Sequence, residues 1–534
     1  MPVKAFGLAR IGAALGLAWL ALSVAEPSAA QVRALDPELE RATKQGWDLY
    51  HNGDLVGAAQ AFQKAIALNG KDGLLYFDLG MVLADQGNLP EAVAQYEKSI
   101  AILQTQRNAQ LNLANALSNL ALVYYRQQRL DDAEAQVNRA LQVWPKSGDP
   151  WVTRGLILEA RGKLDEAIGS YRRAYASSPQ PLAAFQNLGL ALEKKGQLAE
   201  GLQVLQEGAS KHPDDAEIQG ALGALLLANK QLPEAEAALR ASLAANPGAP
   251  TVLYNLGVVL RKENQSAQAL QNLQQAQQLA PQDGEVNLGL ASLLLSLNRT
   301  TEAMPYLEVA LRGGDPEPFA LYTMGDAMHR QGRTADALSY TQKALAERAD
   351  FPEASALLGV LLLETGKQDE AKVIVDKALA AHPDSAELHN SNGLLLLQKE
   401  NFKDAQAEFE RALALTPEYE DAEVNHAVSL TQQHQEARAV PELEKVLRAN
   451  PANVKALANL GAAQFGLKHY AQASEAFAKA AALAPSDASL QTNLGTALEK
   501  AGRPERRRKH LQRRRGCERR GRHDHHPKTR PNSG

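Results

Sequence analysis

Small and large apolar residues recur along this chain with a period of 34 residues. With the first frame opening at residue 39, later frames open at 73, 114, 148, 182, 216, 250, 284, 318, 352, 386, 420, 454 and 488. Only the step from 73 to 114 departs from the period, by seven extra residues. The eighth position is always small: glycine from Gly46, Gly80 and Gly155 to Gly461 and Gly495, alanine at Ala121, Ala291 and Ala427. The twentieth is alanine throughout except at Gly201, and the twenty-fourth carries knobs such as Phe62, Tyr96, Tyr171, Leu205, Phe409 and Phe477. Proline closes many frames, from Pro145 and Pro179 to Pro451 and Pro485, as expected of a residue that cannot continue a helix. Gly inside a helix costs about 1 kcal/mol relative to Ala, so its retention at one phase implies a close crossing of two helices. The pattern predicts thirteen helix pairs and the first helix of a fourteenth over 39–502.

These phases resemble the tetratricopeptide repeat (TPR) family. The resemblance implies an all-α fold, a TPR helix-turn-helix solenoid forming a right-handed superhelix. No single unit buries its apolar face, so stacked neighbours build one continuous core. The seven extra residues fall around Leu103–Leu113, and the second helix of repeat two and the first of repeat three are each expected to be about a turn longer. That feature looks like the longer repeat of kinesin-light-chain-type arrays. Gly313–Pro318 is a candidate bend between two halves. Pro305 and Pro441, at the twenty-second position, are expected near helix N-termini, where a missing N–H is tolerated.

The two ends break the pattern. Lys4 and Arg10 precede an apolar run from Ile11 to Ala25, followed by Glu26, Pro27 and the small residues Ser28, Ala29 and Ala30. This is the layout of a secretory signal peptide over 1–30, with 31–38 as a short lead. Fifteen apolar residues span about 22 Å, short of the roughly 30 Å hydrocarbon core of a bilayer. The mature chain is expected to be soluble, periplasmic or secreted, with no transmembrane span. The sequence after Pro504 is basic: residues 503–534 hold 13 Lys+Arg against 3 Asp+Glu, with Leu511 as their only aliphatic knob. The break falls in mid-repeat and reads as a disordered, out-of-frame continuation. A basic arm for nucleic acid or anionic lipid, and a metal site at Cys517, His523, His525 and His526, are the alternatives.

Composition changes the picture in one respect. The net charge of −4 divides into +10 for 503–534, +1 for the first thirty residues and −15 for 31–502. An acidic body disfavours nucleic acid and favours neutral or basic peptides. The aromatic content of 5% fits thin helix layers filled by Ala and Leu, and one cysteine excludes a disulfide framework.

No catalytic constellation is present in the sequence. Gly366–Lys367 lacks the upstream glycine of a phosphate-binding loop, and the eight histidines of the body are scattered. No enzyme activity, metal or cofactor is expected. The sixth position does hold a row of amides: Asn119, Asn187 and Asn255, then Asn425, Asn459 and Asn493, with Gly289, Thr323, Leu357 and Ser391 between. The family resemblance implies that this position faces the groove, as in the asparagine ladder of the O-GlcNAc transferase superhelix. An amide both donates and accepts, so such a row can grip a peptide backbone whatever its side chains. A structurally neutral consensus residue is the competing reading. The lysine and asparagine phases of a chaperone-tail clamp are absent. Trp47, Trp144 and Trp151, with Tyr50, Tyr76, Tyr124 and Tyr125, mark a second candidate surface in repeats one to four. The expected function is a non-enzymatic protein–protein interaction scaffold in cell-envelope assembly or export, binding other proteins or peptides. The alternative is the TPR arm of a larger enzyme or exporter, a glycosyltransferase or an outer-membrane polysaccharide exporter, whose C-terminal domain is missing.

Overall fold

The computed structural model describes residues 36–178, 180–312 and 317–502. The signal-peptide segment, Pro179, Gly313–Pro316 of the candidate bend and the basic segment 503–534 lie outside the described residues. Among the described residues there are 27 helices, thirteen hairpins and a last first helix, Ala488–Lys500. Most first helices begin where the frame opens, as in Gly73–Asp85, Leu182–Lys194 and Pro352–Glu364. The helices fall into two compact units, ending and beginning at Leu293 and Leu294, and each is described by itself.

Local chemistry sets the helix ends. Several first helices open on a side-chain cap: Asp215 accepts from the Ile218 N–H at 2.8 Å, Asn453 from Ala456 at 2.8 Å and Asp487 from Leu490 at 3.1 Å. The first helices close at the fifteenth position, which is left-handed in every repeat. In repeat one Gly53 (φ 80°) lets the Asp54 N–H reach back to the Leu49 carbonyl at 2.9 Å. Seven repeats have glycine there; the others force Gln128, Lys230, Asn264, Asn298, Glu400, His434 and Lys468 into the same conformation. A side chain in that region carries strain, whereas glycine does not. Glu400→Gly is therefore expected to raise stability by up to about 1 kcal/mol, the relieved strain being partly offset by a more flexible unfolded chain. A higher urea midpoint checks this; a lower one would show that the Glu400 side chain stabilises more than its backbone strain costs.

The hairpin crossing follows the predicted phases. The twentieth-position alanines, from Ala58 and Ala92 to Ala439 and Ala473, are fully buried. The eighth-position glycines lie under the knobs of the same repeat. A Cβ on Gly393 would sit 2.5 Å from the Phe409 ring, one on Gly46 2.8 Å from Phe62 and one on Gly461 2.8 Å from Phe477. The knobs Phe62, Tyr171 and Phe409 are completely buried.

Two expectations need correction. The extra residues of repeats two and three are not shared equally. The second helix of repeat two, Leu89–Leu103, has 15 residues against the usual 14, while the first helix of repeat three, Gln110–Arg126, has 17 against 13. The remainder forms the turn around Thr105–Asn108, where the Gln106 N–H bonds the Leu103 carbonyl at 3.1 Å. Pro305 and Pro441 are also deeper than expected, inside the helices Thr300–Ala310 and Glu436–Ala449. Each is the sixth helical residue, past the first-turn donors that have no carbonyl partner, so each removes one ladder bond.

Within each unit the first helices touch the first helices of adjacent repeats, whereas second helices touch mainly their own first helix and the next one. The crowded first-helix side is therefore the inner side of each unit's curve. Side chains about 35 positions apart tie adjacent first helices together. Ser118 and Thr153 hydroxyls lie 3.2 Å apart, the Ser391 hydroxyl donates to the Ala356 carbonyl at 3.1 Å, and Lys194 pairs with Glu159.

Candidate peptide-binding groove

In repeats one to three a hollow opens on the first-helix side, lined by Tyr50, Met81, Asp85, Asn119, Leu122 and Arg126 among others. These residues occupy the sixth, ninth, twelfth and thirteenth positions of successive repeats, so those phases define the inner face. The Tyr50 hydroxyl donates to Asp85 at 2.7 Å, and Arg126 donates to the Ala84 carbonyl at 3.2 Å while standing 3.9 Å from Asp85. Burial pushes both the Tyr50 hydroxyl and the Asp85 carboxyl up; the hydrogen bond and Arg126 pull Asp85 back only in part.

The asparagines of the sixth position fall on this face but in different states. Asn119 and Asn255 are buried, Asn187, Asn425 and Asn459 are partly buried, and Asn493 is exposed. Three of them bond back to their own helix, to the carbonyl four residues earlier: Asn119 to Asn115 at 3.1 Å, Asn187 to Ala183 at 2.8 Å and Asn459 to Lys455 at 2.9 Å. Each uses one N–H in that bond, leaving a second N–H and the carbonyl oxygen outside it. Asn425 instead donates to Asn390 at 2.9 Å. Asn390 stands at the fifth position of the preceding repeat, and its role was not legible from the row of sixth-position amides. Thr323, the residue at this phase in repeat nine, donates to its own Phe319 carbonyl at 2.7 Å.

In repeat two the same phase holds a carboxylic acid. Asp78 is 8% exposed, and no hydrogen bond to its side chain is found among the described residues. Burial, with help from the Asp72 charge, pushes its pKa up to about 8. In repeats ten to twelve the inner-face phases before and around Asn425 hold the partly exposed apolar side chains Leu357, Val360, Leu363, Leu394, Leu397 and Val428.

The aromatic group of the first four repeats is not one surface. Trp47 packs edge-on against Phe62 and Tyr50, with ring centroids 5.7 and 5.8 Å away. Trp151 lies under the Arg173 guanidinium at 4.4 Å, and only Trp144, at 39%, is substantially exposed. His389 is buried, its Nδ1 2.7 Å from a Glu408 carboxylate oxygen and its Nε2 2.8 Å from the Pro383 carbonyl. Among the described residues no three His, Cys, Asp or Glu side chains are placed to hold a metal ion, and no helix is long and apolar enough to cross a membrane.

Family models described as tetratricopeptide repeat match residues 72–146, 118–180, 187–250, 260–322, 328–391, 373–420, 390–453 and 424–488. No curated protein matches the chain. Similar solved structures include the APC/C hetero-tetramer Cut9–Hcn1 (15% identity, TM-score 0.47, covering 90% of this chain and 94% of that one). PilF of Pseudomonas aeruginosa is another (22%, 0.35, 38% and 91%), as is yeast Tom70 (15%, 0.34, 88% and 96%). Scores below 0.5 leave the assignment to rest on the repeat matches and on the helix pairs, whose buried alanines and glycine-to-knob crossings recur at fixed phases. On those grounds the chain belongs to the tetratricopeptide repeat family.

Proposed function

We propose that this protein is a non-enzymatic scaffold, exported across a membrane, that holds extended segments of partner proteins along its first-helix face. The observation that carries the reading is the row of inner-face amides, Asn425, Asn459 and Asn493 in particular, set among half-exposed apolar side chains. Such a surface grips a backbone by paired hydrogen bonds and sorts side chains by apolar contact. The export element of the proposal draws on the charged, apolar and small-residue succession of the first thirty residues, and the envelope role follows from export.

Substituting Asn425, Asn459 and Asn493 together by alanine is expected to weaken the binding of groove-selected peptides about tenfold or more. Net hydrogen bonds are worth about 0.5–1.5 kcal/mol each, and tenfold is 1.4 kcal/mol. Fluorescence anisotropy with labelled peptides selected on the wild-type protein measures it. Unchanged affinity with an unchanged circular dichroism spectrum removes the ladder from the mechanism.

A further inference from the structure

We propose that the first helix of repeat seven, Pro250–Lys262, is a reading site for acidic side chains of a peptide lying in the first-helix groove, with Arg261, Lys262 and Asn255 as the contacting groups. Lys230, on the turn of the preceding repeat, stands at the margin of the site. The inference rests on the groove reading above and adds the chemistry of the occupant at one place along it.

Three independent observations converge on this helix. The first concerns pairing. Arg261 and Lys262 occupy the twelfth and thirteenth positions, the phases at which Tyr50, Asp85 and Arg126 line the hollow of repeats one to three. In repeat five the thirteenth-position Lys194 is neutralised from the preceding first helix by Glu159, 35 positions earlier, and in repeat nine Arg330 is neutralised by Asp326 of its own helix. The residue 35 positions before Lys262 is Leu227, and the one before Arg261 is Leu226. The side chains of Arg261, Lys262 and Lys230 make no hydrogen bond or ion pair among the described residues. The nearby carboxylates are engaged elsewhere: Glu236 pairs with Arg240 at 2.6 Å and Glu263 accepts from Gln265 at 3.0 Å.

The second observation concerns solvent. Arg261 is desolvated without a counter-charge, and burial holds its guanidinium below the usual arginine range. Lys262 is pushed down by burial and then by the charges of Arg261 and Lys230. An exposed lysine without a partner is ordinary; a part-buried arginine that no carboxylate of its own chain pairs, in a body of net charge −15, is less so. The third is Asn255, on the same inner face two turns earlier. It is 6% exposed, its amide has no hydrogen-bond partner among the described residues, and neither amide atom is sealed from solvent. A mostly buried amide with no partner of its own is satisfied by a ligand that brings both a donor and an acceptor, which a peptide backbone does. A carboxylate arriving beside it meets the arginine fork, to which it can bind through both oxygens.

The helix C-terminus itself favours basic residues through its dipole, which accounts for cations on the last turn in general. It does not account for drawing one partly out of solvent without a partner. An acidic side chain supplied by a bound peptide does, and it restores the pairing that Glu159 provides for Lys194. Sited against an otherwise acidic body, the cluster sets the register of a peptide along the groove, since an acidic residue is repelled elsewhere and accepted here.

The test pans a random peptide library on the full chain and on its R261Q/K262Q variant, both checked for native circular dichroism. Wild-type selections are expected to be enriched in Asp and Glu, and the variant to lose that enrichment. Individual acidic peptides are expected to bind the variant about tenfold more weakly and to lose affinity for the wild type in half-molar salt. N255A, which keeps both charges, is expected to weaken the same peptides several-fold. Peptides retained without acidic enrichment, or with equal enrichment on the variant, overturn this proposal and leave the groove reading standing. Retention of no peptide by either protein overturns the groove reading itself. Displacement of the acidic peptides by short single-stranded DNA at equal concentration overturns a peptide as the occupant.

Discussion

Phe409→Ala is expected to destabilise the second unit by about 3–5 kcal/mol, the range for removing a buried phenylalanine and leaving its cavity. The ring is fully buried and rests on Gly393, which has no Cβ to fill the space. The sharper form of the prediction uses both partners. Gly393→Ala places a Cβ 2.5 Å from the ring and is expected to cost about 1–3 kcal/mol by overpacking. In a Phe409→Leu background the same change is expected to be nearly neutral. The array itself contains the control. Every aromatic knob faces a glycine, as Phe62 faces Gly46 and Tyr96 faces Gly80. Where the eighth residue is Ala121 or Ala427, the knob of that repeat is Val137 or Leu443. Because repeat arrays can open locally, hydrogen exchange resolved to repeats ten to twelve is the appropriate measurement. Equal costs for Gly393→Ala in the two backgrounds would break the proposed coupling.

Asp78→Asn is expected to stabilise the first unit, by on the order of 3 kcal/mol at pH 7 if the carboxyl is as strongly perturbed as its burial implies. The sign follows from linkage. The folded pKa is raised to about 8 from an ordinary 3.8, so the folded protein keeps a proton that the unfolded chain releases. Stability is complete below about pH 4, where both states are protonated, and declines as the pH rises toward about 8. Asparagine does not titrate, so the advantage of the variant should be small at pH 4 and grow up to the folded pKa. The substitution also installs at repeat two the amide that repeats three, five and seven carry at the same phase. Urea midpoints of both proteins across that pH range measure it. A difference independent of pH would mean that folding does not raise the Asp78 pKa.

Much of the architecture was legible before any coordinates because each repeat contacts only its neighbours. A fixed phase in the sequence is then a fixed place in the packing, and Gly393 over Phe409 recurs as Gly461 over Phe477. The departures have local causes. The extra residues near Leu103 entered one helix and a turn rather than two helices, a partition that periodicity does not specify. The left-handed fifteenth position went unseen because glycine occupies only half of its occurrences.

The sequence by itself determined the helix pairs, their spacing, the buried alanines and the separation of an acidic body from basic residues beyond Gly502. These depend on propensity, periodicity and composition, which are properties of short stretches of chain. Only the tertiary structure decided what each polar group does. It bound Asn459 back to its own helix, joined Asn425 to Asn390, buried Asp78 and left Arg261 without a counter-charge. Hydrogen bonding and ionisation are set by groups about 35 positions away and by the water those groups exclude. The same residue type at the same phase can therefore be an open amide in one repeat and a sealed one in another.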